Sequence, residues 1–210
     1  MNNRAIAFSA ASILGFGILI NAAPALAHHP NGGAIPNSFT AGFLSGIGHP
    51  VIGIDHLVFV VAIGLLAALG RKRGMIIPLL FVLATVAGTV IHLQSVSLPV
   101  PELIIAASVL VMGIFLARKD RVSLAIVTLV GIVAGIFHGY AYGESIIGAE
   151  ATALGAYLLG FCLIQLGISA IAFYSGKMLA RHSNSILILR FAGLAIAGVG
   201  CAFISNFILS

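Results

Sequence analysis

The chain has 210 residues, of which 60% are hydrophobic and only 7% charged, against about 25% charged in a typical soluble domain. Too little polar surface is present to cover a water-soluble core, and the long apolar-polar alternation of an outer-membrane barrel is missing, so a cytosolic enzyme, a disordered chain and a DNA-binding domain are excluded. The formal charge of +5 comes from basic residues in short loops, which reads as membrane orientation and not as a nucleic-acid partner. What remains is an all-α, polytopic membrane helical bundle embedded in the lipid bilayer.

Residues 1–27 read as a signal peptide. Arg4 supplies the positive region, Ala5 to Ile20 the apolar region, and Ala25-Leu26-Ala27 a small-x-small cleavage site. A retained first membrane helix is the alternative, but Pro24 and the Ala-x-Ala site favour cleavage. The mature chain, 28–210, then begins at His28 outside the cytoplasm. Residues 38–48 are apolar but too short to span, and suit a half-helix or an interfacial segment.

A spanning helix needs about 20 mostly apolar residues. Six stretches qualify: 51–70, 75–94, 100–117, 122–140, 151–174 and 186–208. Arg71, Lys72 and Arg73 follow the first, and Arg118, Lys119 and Arg121 the third. Lys177, Arg181 and Arg190 surround the turn after the fifth. All lie on one side, which the positive-inside rule makes the cytoplasm. Both termini of the mature protein then face outward from the inner membrane. Cys162 and Cys201 lie in apolar stretches and read as small core residues, not as a disulfide framework.

The acids take the opposite side. Asp55, Glu102, Glu144 and Glu150 fall at or near outer ends of spans, as do His28, His29, His49, His56, His92 and His138; Asp120 and His182 are the inner exceptions. Carboxylates and imidazoles at an outer mouth attract and bind cations. Asp55 lies about a turn inside an apolar span, where a carboxylate is costly and functional by default.

Two motifs carry this chemistry. The first runs Gly48-His49-Pro50-Val51-Ile52-Gly53-Ile54-Asp55-His56, with Pro50 suited to the first turn of a helix. His49 and His56 share a face but stand about 10 Å apart along a straight helix. Either the chain bends at the Pro50 turn to bring them together, or they mark successive stations. The second runs Phe137-His138-Gly139-Tyr140-Ala141-Tyr142-Gly143-Glu144. Gly139 and Gly143 would let the chain turn, so that His138 and Glu144 converge on one ion. Tyr140 and Tyr142 read as an interfacial aromatic belt. The expected metal ligands are His49, Asp55, His56, His138 and Glu144, with His28 and His29 reaching the mouth on the flexible Pro30-Asn31-Gly32-Gly33 run. His92 reads as structural, Gln165 as an interhelical or path-lining residue, and Thr85, Thr89, Ser108 and Ser169 as ordinary helix contacts. Glu102, just after Pro99 and Pro101, suits the first turn of a helix or a vestibule.

The chain has no P-loop, no Gly-x-Ser-x-Gly elbow, no His-Glu-x-x-His and no Cys-x-x-Cys. The reading is therefore not an enzyme. It carries no prosthetic group, and its substrate is a borderline divalent ion bound by nitrogen and oxygen. Imidazole titrates near about pH 6.5, so acid should compete with the ion.

His49-Pro50-x-x-Gly53-x-Asp55-His56 and Phe137-His138-Gly139, with a signal peptide and six spans, resemble the HupE/UreJ family of hydrogenase and urease accessory membrane proteins. The likeness extends along nearly the whole mature chain. It implies a secondary, ATP-independent permease for nickel, or for cobalt, that feeds metalloenzyme assembly. Many members carry further histidines where this chain has Tyr140 and Tyr142, and one near the position of Gln165; the acid of the second motif is displaced to Glu144. These departures bear on which metal is carried. Two other readings stay open: a membrane-embedded metal-dependent hydrolase, with Glu144 as base, and a non-transporting metal-binding subunit. A homo-oligomer is compatible with each.

Overall fold

The computed structural model describes residues 35–70, 74–120, 122–181 and 185–209. The signal segment 1–27, His28, His29 and His182 lie outside them. Among the described residues the structure is seven helices and no strand: α1 (Phe39–Ile52), α2 (Ile54–Ala68), α3 (Ile76–Leu93), α4 (Pro101–Ala117), α5 (Leu124–Glu144), α6 (Ala151–Leu179) and α7 (Ser185–Leu209).

Four of these, α3, α5, α6 and α7, are long and apolar enough to cross a membrane. The pair α1 and α2 adds a fifth crossing if it is counted as one broken span. The remaining helix, α4, is apolar but has 17 residues, about 26 Å at 1.5 Å per residue, a little under the hydrocarbon thickness of about 30 Å. Large apolar side chains such as Leu129, Leu163, Ile171 and Leu194 point outward from the bundle, as expected where the solvent is lipid.

The starts of the helices follow local chemistry. Ser38 caps α1, its hydroxyl accepting from the Ala41 N–H. Pro101 sits at the start of α4, where its missing N–H costs nothing. Ser123 accepts from the Ala125 N–H at the head of α5.

Three differences from the sequence expectations matter. First, 39–52 is a continuous helix and Pro50 falls in its last turn, not the first turn of the next. The interruption comes at Gly53. Second, α5 runs through Gly139 and Gly143 to Glu144 without turning. Those glycines serve packing instead: a Cβ on Gly139 would overlap the Thr85 carbonyl of α3, so the two backbones lie in contact. Third, Cys201 is exposed on α7 and is not a core residue. A helix that is apolar all round gives no sequence sign of which face meets lipid.

The helices associate most closely in three pairs: α1 with α6, α3 with α5, and α4 with α7. α1 and α6 run in the same direction, Gly42 lying against Ala153 and Gly46 against Tyr157. α2 continues down α6, with Gly64 against Ser169. Asp55, Glu102, Glu144 and Glu150 gather toward one end of the bundle. Lys177 and Arg190 mark the other, where each donates to a carbonyl at a helix end: Lys177 Nζ to Gly70 at 2.7 Å and Arg190 Nε to Ala117 at 3.0 Å.

Candidate metal site

The site is built on the break in the first span. The axes of α1 and α2 differ by 79°. The Gly53 N–H still donates to the His49 carbonyl at 3.1 Å, and its own carbonyl accepts from Leu57 at 2.9 Å. The chain is thus hydrogen-bonded on both sides of the bend. A Cβ at Gly53 would lie 2.6 Å from Cδ2 of His56 and 3.3 Å from Oδ1 of Asp55. Glycine is therefore required by the two side chains that fold over it, not by its backbone angles. Asp55 occupies the first turn of α2, where the helix dipole favours a carboxylate, and Oδ1 accepts from the His56 N–H at 2.9 Å.

The bend brings the His49 and His56 rings to 5.6 Å between centroids. Of the two arrangements open from sequence, the structure has the convergent one, hinged three residues later than Pro50.

From α5, His138 meets the same cluster. Its Nδ1 lies 2.8 Å from Nδ1 of His56, and its Nε2 lies 3.1 Å from Oγ of Ser108 on α4. The tautomers follow for neutral rings. Ser108 donates its single proton to the Ile105 carbonyl at 2.6 Å, so it must accept from His138 Nε2–H. His138 then offers the lone pair of Nδ1, and His56 Nδ1–H donates to it. His49 is held in turn: its Nδ1 lies 2.8 Å from Ser145 Oγ and 3.2 Å from the Tyr157 hydroxyl, which donates to the Tyr142 carbonyl at 2.8 Å. The three imidazoles are 0–1% exposed.

Tyr142 completes the enclosure. Its ring stands 4.9 Å from that of His49 and 4.7 Å from that of His56, in edge-to-face contact with both. It is fully buried and is no belt residue. Among the described residues its hydroxyl has no hydrogen-bond partner. Phe59 lies 4.4 Å and Phe81 6.0 Å from the His138 ring and close the floor.

A cavity of about 130 Å³ opens beside the imidazoles. His49, Asp55, His56, His92, Glu102, Tyr140, Glu144 and Ser145 are among its lining residues. The sequence reading of Glu102 as a vestibule residue fits this wall. The His92 ring packs against that of Tyr140 there, 4.2 Å between centroids and tilted by 57°. Glu144 is exposed in the wall, whereas His138 is buried and does not line the cavity. The expected convergence of these two on one ion is thus not what the structure brings about.

Among the described residues, no three His, Cys, Asp or Glu side chains are arranged to hold one metal ion. The obstacle is measurable. Two metal–nitrogen bonds of about 2.0–2.1 Å at a tetrahedral angle hold their nitrogens about 3.3 Å apart. His56 and His138 stand at 2.8 Å, so an ion between them requires the rings to part by about 0.5 Å and the shared proton to leave.

Below the imidazoles a polar thread continues along α6. Gln165 Nε2 donates to Thr85 Oγ1 at 3.3 Å and to the Phe161 carbonyl at 3.1 Å, and Ser169 donates to the Gln165 carbonyl at 2.7 Å. Gln165, expected as an interhelical or path-lining residue, links α6 to α3 through Thr85, while Ser169 bonds within α6. Among the described residues, buried polar side chains stop at Ser169; beyond it Ala172 and Phe173 pack into the apolar core.

The profile of the HupE / UreJ protein family matches residues 16–203. The chain belongs to the HupE/UreJ family. Protein HupE of Rhizobium leguminosarum bv. viciae is 30% identical over 164 residues, which cover 74% of this chain and 85% of that relative. No solved structure matches the chain. In this HupE/UreJ protein the two motifs quoted from sequence meet across the bundle, through His56 and His138. Sequence reasoning missed Ser108, Ser145, Tyr142 and Tyr157 as parts of the site. Only Tyr142 carried a usable signal, since it stands four residues from His138 and so shares its face of α5.

Proposed function

We propose that this chain is a secondary, ATP-independent permease for a divalent transition-metal ion, nickel first and cobalt second, supplying metalloenzyme assembly from the inner membrane, and not an enzyme. The observation that carries the reading is the burial of three imidazoles and Asp55 at a break in a membrane helix, beneath a cavity walled by carboxylates. Discontinuous helices at mid-bundle sites are a recurring device of secondary transporters. The carboxylates concentrate a cation in the cavity. Asp55 offsets part of the cost of bringing its charge into a low-dielectric site, and the neutral imidazoles add affinity without adding charge, so that the ion can leave again.

In this reading the chain crosses the membrane six times, with α1 and α2 as one broken crossing. The end carrying Arg118, Lys119, Lys177, Arg181 and Arg190 faces the cytoplasm. The floor of Phe59 and Phe81 belongs to a conformation open toward the acidic end only, so passage requires a second conformation in which that floor parts. The test is uptake of radiolabelled nickel and cobalt by proteoliposomes containing the purified chain, compared with protein-free vesicles.

The end of the polar thread at Ser169 favours a second reading, a non-transporting metal-binding subunit or a metal-dependent hydrolase. Binding of metal by the protein without any uptake into the vesicles would select it.

A further inference from the structure

We propose that Tyr142 is the specificity-determining oxygen ligand of this site, an inference that rests on the metal-binding reading above. Three observations lead to it. The ring is fully buried and wedged edge-on against both His49 and His56, at 4.9 and 4.7 Å. Among the described residues its hydroxyl has no hydrogen-bond partner, although a buried hydroxyl is costly to leave unsatisfied. And among the described residues the His, Cys, Asp and Glu side chains do not by themselves make a three-ligand set. A cation drawn in beside His56 would lie next to the Tyr142 ring, whose phenol oxygen is then the candidate further donor.

The backbone is arranged to hold that ring in place. Tyr157 donates to the Tyr142 carbonyl at 2.8 Å while touching His49 Nδ1 at 3.2 Å. Phe161 packs on the other side, its ring 5.4 Å from that of Tyr142. The ring position of Tyr142 is therefore coupled to the position of His49.

The chemical consequence is a shift in donor character. Imidazole suits nickel, copper and zinc, whereas oxygen donors favour harder ions. A phenol oxygen among imidazoles narrows the advantage of nickel over cobalt. A histidine at position 142 would widen it.

Cobalt(II) is the probe, because its ligand-field absorption changes with the donors around it. The purified full-length protein, with Tyr142→Phe and Tyr142→His variants, is titrated with cobalt in nanodiscs, and nickel and cobalt uptake are measured in parallel. Tyr142→Phe removes one oxygen and should shift the cobalt bands and weaken cobalt binding about ten-fold, the lower end of the range for disturbing a metal's surroundings. Tyr142→His should shift the bands again and raise the ratio of nickel to cobalt uptake. Cobalt bands and affinity unchanged in Tyr142→Phe overturn the proposal, as does a wild-type protein that binds no cobalt. If Tyr142→Phe does not fold, unchanged bands in Tyr142→His overturn it equally. A wild-type protein with Tyr142-dependent bands but no uptake would sink the permease reading and leave the ligand assignment standing.

Discussion

Gly53 and His56 are in steric register: the space that a Cβ at Gly53 would fill is taken, at 2.6 Å, by Cδ2 of the imidazole. The backbone angles at Gly53 are ordinary for any residue, so the constraint comes wholly from the folded-over side chains. Gly53→Ala should therefore leave the helices intact and push His56 away from His138. Metal affinity is expected to fall about ten- to a hundred-fold, the range for misplacing the surroundings of a metal, with unchanged helical content by circular dichroism. Wild-type affinity in this variant would show that the His56 ring has room to spare.

Asp55→Asn keeps an oxygen for the His56 N–H and removes the charge. Because the local hydrogen bond survives, the protein should insert normally. Uptake should be abolished, since no carboxylate then remains beside the buried imidazoles to offset the charge of the entering ion. Transport at the wild-type rate by normally inserted Asp55→Asn protein would remove the carboxylate from the mechanism.

In the proposed site Ser108 would act only through His138, by accepting from Nε2–H and so presenting Nδ1 to the cluster. Ser108→Ala frees the ring to adopt the other tautomer. The expected loss of metal affinity is about ten-fold, and Ser108→Thr, which keeps the hydroxyl, should restore most of it. Equal losses in both variants would mean that packing, not the tautomer, is what Ser108 supplies.

The contact between Gly139 and the Thr85 carbonyl predicts a stability effect without a charge change. Gly139→Ala must separate α3 from α5 and should cost about 1–3 kcal/mol, the usual range for overpacking. The readout is a lowered melting temperature in detergent. A melting temperature equal to the wild type would show that the helices can slide apart at no cost.

Orientation is tested by labelling. In a background free of Cys162 and Cys201, a cysteine at Glu150 should react with an impermeant thiol reagent added to intact cells, and one at Lys119 should not. The opposite pattern would invert the topology.

The positions of α3 to α7 were legible in the sequence because an apolar stretch bounded by Pro, Gly or charge has little choice in a membrane. The break was misplaced at Pro50 because proline is a fair marker of helix starts, while here the hinge is set by His56 packing over Gly53, a contact between side chains that sequence does not display. That the imidazoles at 49, 56 and 138 and the carboxylate at 55 would lie near one another was legible from their places at the span ends. The pairing of Glu144 with His138 failed because α5 does not turn at its glycines. Ser108 was beyond reach, since nothing in a lone serine of an apolar helix says which neighbour it will face.

The three close helix pairs have a consequence for motion. Backbones in contact at glycines resist sliding within a pair, so the seams between pairs are the softer places for rearrangement. His49 belongs to the pair α1–α6, His138 to α3–α5 and Ser108 to α4–α7, while His56 rides on α2, which joins α1 at Gly53 and packs along α6. The imidazole cluster thus stands where all three seams meet. In the proposed mechanism an ion that parts His56 from His138 by about half an ångström would act where these helix pairs adjoin.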